Sequence, residues 1–120
     1  MNNVKDIIEQ IVQTVDGAIV AALVDAESGM ILGSAGSGLD VELAAAGNCD
    51  VMRAKLKIMK SLNLDDAIED MLITLGKQYH IIRPTEKYEA MFIYVALEKN
   101  KANLGLARRQ VLVLEQQLVI

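Results

Sequence analysis

The side chains in this chain that could do chemistry are few, and their spacing limits what they could do. His80 is the one histidine, which excludes a metal site built on paired imidazoles and makes it an obligatory member of any Ser-His-Asp arrangement. It stands within Tyr79-His80-Ile81, a run with strand character, and reads as a structural or partner-facing residue rather than a base. Cys49 is also alone, so neither an intrachain disulfide nor a multi-cysteine metal site can form. It falls in an apolar stripe, where a thiol behaves as a small hydrophobe with a raised pKa. The glycine-rich segment 33–38 lacks the Gly-Lys-Ser/Thr ending that supplies a phosphate-binding loop with a cation and a metal-binding hydroxyl. It is expected to be a flexible connector that ends sheet structure. Asp65-Asp66 and Glu69-Asp70 are neighbouring carboxylates, but consecutive strand residues point to opposite faces, so they form no acid–base pair and are expected to be solvated. No catalytic residue, cofactor or metal ligand follows from these residues, and the chain is not expected to be an enzyme.

The elements that must position these groups are legible from periodicity. Val4, Ile7, Ile8, Ile11 and Val15 recur at helical spacing over residues 3–15, with Lys5, Glu9 and Gln13 opposite. Asp16-Gly17 stops that helix, and the uniformly apolar run 18–24 is a central strand covered on both faces. A turn at 25–29 leads to a short strand, Met30-Ile31-Leu32, closing a hairpin. Residues 40–62 form a long helix carrying two apolar stripes. One holds Ala45, Cys49, Met52, Leu56 and Met59, the other Ala44, Val51, Ile58 and Leu62; Glu42, Asp50, Arg53, Lys57 and Lys60 share the remaining arc. A sheet face covers only one stripe, and a surplus apolar stripe marks a protein interface. Three further strands are expected at 67–75, 78–83 ending at Pro84, and 90–97. A last helix is capped by Asn103 and carries Leu104, Ala107, Val111, Leu114 and Leu118 inward, with Arg108, Arg109, Glu115 and Gln116 outside. The order α-β-β-α-β-β-β-α makes an α+β sandwich, with a five-stranded antiparallel sheet, the terminal helices on one face and the middle helix on the other.

Composition restricts the partners. The chain has 120 residues, one domain over 1–120, and is 52% hydrophobic and 23% charged, so it folds rather than staying disordered. Three tyrosines, one phenylalanine and no tryptophan leave an aliphatic core and few stacking platforms, and a net charge of −4 disfavours nucleic acid. The longest uncharged run, 28–39, is broken by four glycines and is far short of the about 20 apolar residues of a membrane span. The N-terminal residues form no continuous apolar stretch of the secretory type, so a cytoplasmic location is expected.

Three strings in this order carry a resemblance: residues 17–25, Gly-Ala-Ile-Val-Ala-Ala-Leu-Val-Asp, with the hairpin ending 29–32; residues 68–83, with Tyr79-His80-Ile81-Ile82-Arg83; and 103–108, Asn-Leu-Gly-Leu-Ala-Arg. Over nearly its whole length the chain resembles the Roadblock/dynein light chain family, whose bacterial members include MglB-type partners of small Ras-like GTPases. The resemblance implies a profilin-like fold, no catalytic residues, and a homodimer in which the middle helices pack antiparallel and the strand at 67–75 pairs with its copy. The dimer interface is then expected to include Ala45, Cys49, Met52, Leu56 and Met59 with Ile68, Met71 and Ile73, and Leu56→Lys is expected to break it. Arg53, Lys57 and Lys60 are left as candidate partner-binding residues. The implied function is a scaffold that binds and regulates a small Ras-like GTPase. An adaptor within a larger assembly, or a small-molecule sensor disfavoured by the apolar filling of the sheet, are the alternatives.

Overall fold

Two strands with no polar alternation need cover on both faces, and that requirement sets the layers. The computed structural model describes residues 2–120. Its elements are α1 (Val4–Thr14), β1 (Ala18–Asp25), β2 (Ile31–Gly36), α2 (Val41–Ser61), β3 (Met71–Thr74), β4 (Gln78–Pro84), β5 (Met91–Glu98) and α3 (Leu104–Gln116). The strands form one antiparallel sheet in the order β2-β1-β5-β4-β3, so the two apolar runs β1 and β5 pair at its centre. Alternate residues then face opposite layers. Ala21, Leu23, Ile93, Val95 and Leu97 pack with Ile8, Ile11 and Val111 beneath α1 and α3. Val20, Ala22, Phe92, Tyr94 and Ala96 pack with Ala45, Cys49 and Met52 of α2 on the other face. The expected α+β order and the division of the helices between the two faces are both observed.

Local chemistry starts the helices. The Asp40 carboxylate accepts from the Leu43 amide at 3.1 Å, and the Asn103 side-chain oxygen from the Leu106 amide at 3.0 Å. α3 ends at Gln116, so buried Leu118 belongs to the segment after it.

Four expectations need correction, each for a steric or electrostatic reason. β2 runs on through the glycines to Gly36. A Cβ at Gly33 would lie 2.8 Å from Val4 Cγ1, and one at Gly36, where φ is +88°, would lie 2.0 Å from the Ile19 carbonyl oxygen. These glycines let α1 and β1 approach the strand closely; they do not interrupt it. β3 spans only Met71–Thr74, because continuing its register with β4 would set residue 69 opposite Pro84, which has no amide to donate. The preceding residues are held by side chains instead. Arg108 makes a two-pronged pair with Asp70 at 2.8 and 2.9 Å, so Asp70 is no solvated charge. Glu115, expected to face outward, is buried and accepts from Arg83 Nε at 3.0 Å.

Arg83 is itself buried on β4, and it also donates to the Glu69 carbonyl at 3.1 Å and to Glu86 at 3.4 Å. Its hydrogen bonds therefore join β4 to α3, to the segment before β3 and to the β4–β5 connection. Removing one partner of a buried ion pair strands the other in a low-dielectric site. Glu115→Ala should lower unfolding stability by about 3–5 kcal/mol, read from urea denaturation, whereas an Arg83→Met, Glu115→Leu double change should recover much of that loss.

Candidate functional site

The candidate site among the described residues is exposed apolar surface. Among the described residues no group of three His, Cys, Asp or Glu side chains could hold a metal ion, and no buried side-chain nitrogen or oxygen lacks a hydrogen-bond partner. Nor, among them, is any helix long and apolar enough to cross a membrane. Cys49 is buried, with its Sγ 3.8 Å from the Asp25 carbonyl oxygen, and burial pushes the thiol pKa up, as in an inert packing residue.

His80 lies on β4 opposite Ile73 of β3 and Ala96 of β5. Its Nε2 is 2.8 Å from Gln78 Oε1, and the Tyr94 hydroxyl is 3.4 Å from its Nδ1, with the two rings edge to face. A neutral ring meets both neighbours, donating to Gln78 and accepting from Tyr94. Burial lowers the His80 pKa and raises that of Tyr94.

α2 decides what remains exposed. It approaches β1 and β2 most closely, and Ile82 of β4 is still fully buried in the core on that face, so the open part of the face is at the β3 edge. The structure places Ala45, Cys49, Met52 and Met59 inside the protomer, all buried. They cannot form the surplus stripe, because their own chain already covers them. The bare stripe is the other one: Val51, Ile58 and Leu62 are 39%, 51% and 63% exposed, with exposed Ala54 between them and exposed Gly47 one turn earlier. On the open side of the sheet the edge strand β3 exposes Ile73, while Met71 and Ile68 are half-buried against the α2-side core. An apolar edge strand with free backbone groups is a template for pairing.

Leu56 points along the buried arc of α2 yet is half exposed. The exposure is local, because Met59, farther along the same arc, is buried. Beside Leu56 lies a groove of about 1050 Å³, bounded by Met52, Leu56, Ile68, Pro84, Met91 and Phe92. The apolar filling of the sheet did not imply this space. Of the candidate partner-binding residues, Arg53 is engaged by the Ala26 carbonyl at 2.8 Å and Asp50 at 2.7 Å. Lys57 and Lys60 are exposed and, among the described residues, make no ion pair.

A folded-state pKa for His80 below the ordinary 6.5 means that the unfolded chain binds the proton more readily. The stability contributed by neutral His80 is complete above about pH 6.5 and is lost as pH falls toward the lowered value. Urea midpoints measured at about pH 7.5 and pH 5 should therefore differ less in His80→Gln than in the native protein.

No protein-family model matches this sequence, and no curated protein matches it. Solved structures do match the fold. A Roadblock/LC7 domain from Streptomyces avermitilis superposes with a TM-score of 0.82 at 11% identity, covering 94% of this chain and 92% of that one. MglB from Myxococcus xanthus gives a TM-score of 0.76 at 16% identity, over 95% and 86% of the two chains. The gliding protein MglB from Thermus thermophilus gives 0.69 at 15% identity, over 93% and 87%. The chain has the Roadblock/LC7 fold.

Proposed function

We propose that this chain is a non-catalytic homodimeric scaffold of the cytoplasm that binds a small Ras-like GTPase and regulates it, with GTP hydrolysis as the regulated step. The observation that carries the reading is the pairing of two unpartnered features on one face of the sheet, the Val51, Ile58, Leu62 stripe of α2 and the apolar edge of β3. A second copy would cover both at once, with helix on helix and strand on strand, and the contact would be isologous. The resemblance to MglB-type proteins supplies the GTPase. Lys57 and Lys60, on a chain of net charge −4, make a local positive departure that suits an acidic partner surface. With no nucleophile–base pair to offer, such a scaffold would act by holding the switch regions of its partner.

The dimer is tested first. Val51→Asp with Ile58→Asp changes only exposed positions, so it should leave the fold intact and halve the mass measured by light scattering. Leu56→Lys, which touches the groove and not the stripe, should leave the dimer whole. A native protein that is monomeric at micromolar concentration would overturn the dimer.

The partner is tested by GTP hydrolysis of a small Ras-like GTPase from the same organism, with and without this protein. Stimulation is expected, and binding without any change in hydrolysis would favour the adaptor instead. Lys57→Glu with Lys60→Glu should slow association several-fold at low salt, and the difference should shrink as salt is raised.

A further inference from the structure

The groove beside Met52 and Leu56 is lined by none of Val51, Ile58, Leu62, Lys57 and Lys60, so it lies apart from the bare stripe and from the lysine-bearing arc, and its chemistry differs from both. Its floor is apolar, with Met52, Leu56, Ile68 and Phe92 among its lining. Its rim carries four carboxylates, those of Glu27, Asp66, Glu86 and Glu89, all on exposed residues, with Glu86 also accepting from Arg83 at 3.4 Å. Among the described residues that line it, Arg53 is the one cation, and its guanidinium is already held by the Ala26 carbonyl and Asp50. The rim is firmly placed: Ala90 takes a left-handed φ of +61°, and its carbonyl accepts from the Ala26 amide at 2.6 Å. A small-molecule site needs convergent polar groups inside it to fix orientation. Here the polar groups stand at the rim, and no unpaired buried polar side chain among the described residues points within.

We propose that this groove docks a basic amphipathic segment of another protein, its apolar side chains on the floor and its lysines or arginines against the four rim carboxylates. An amphipathic helix laid in an apolar groove is a recurrent mode of recognition, and a ring of opposite charge selects the partner and speeds its arrival. A second copy of this chain is a poorer occupant. Its exposed lysines Lys57 and Lys60 stand beside the Val51, Ile58, Leu62 stripe of α2, and that stripe is the surface the proposed dimer already covers. The inference does not rest on the GTPase reading.

The probe is a fluorescein-labelled amphipathic helical peptide of leucine and lysine, together with a twin carrying glutamate in place of lysine. Anisotropy at low salt should give saturable binding of the lysine peptide and none of the glutamate twin. Glu27→Lys with Glu89→Lys should weaken binding about tenfold, with the gap closing as salt is raised. Leu56→Gln should weaken it at every salt concentration, and unchanged circular dichroism melts would establish that both variants fold. In the native protein, amide chemical-shift changes should centre on Leu56, Ile68 and Phe92. Equal binding of the two peptides, indifference to the charge reversal, or shift changes centred on Val51 and Ile58 would each overturn the proposal. If the groove variants instead change the mass seen by light scattering, the occupant is a second copy and the foreign segment is excluded.

Discussion

The edge of this sheet depends on one buried guanidinium. Arg83 pairs with Glu115 of α3, holds the Glu69 carbonyl ahead of β3 and reaches Glu86 in the connection to β5. A charge so placed is stable only while its partners stay, so the positions of helix, edge strand and rim loop are coupled through it. The Arg108–Asp70 pair adds a second tie from α3 to the chain just before β3. Between them the two arginines hold a four-residue strand that pairs on one side only. A short edge strand without such ties would fray, and its free side would be a poor template for a partner.

α2 is the counterpart of that edge. Its inward arc closes the core with small and soft side chains, Ala45, Cys49 and Met52, which allow close approach to a sheet face that is itself rich in alanine. Its outer stripe and the groove beside Leu56 are left uncovered. The stripe is bare because a helix resting on one sheet uses only part of its circumference. One element thus presents two separate surfaces, an apolar one suited to another helix and an acid-rimmed one suited to a basic segment.

His80 and Tyr94 lie on the α2-side face of the sheet, near the edge strand. Their mutual contact satisfies two polar groups without a charge, which is the state that a half-buried position favours. The histidine is therefore part of the sheet's own packing, and it is also near any surface that pairs with β3.

The order of elements, the central placement of β1 and β5, the capping residue Asn103 and the surplus of apolar stripe on the middle helix were all legible in the sequence. Each is set by local periodicity or by a side chain within a few residues of the backbone it serves. Which stripe of α2 is bare was not legible, because two stripes a third of a turn apart differ only in how the helix rotates when it meets the sheet. The length of β3 was hidden in its register with Pro84, and the role of the glycines in β2 in their contacts with Val4 and Ile19. The burial of Glu115 depends on Arg83, 32 positions away in sequence. Periodicity records which side chains prefer to leave water; which of them meet, and which remain uncovered, is decided only when elements distant in the chain are packed together.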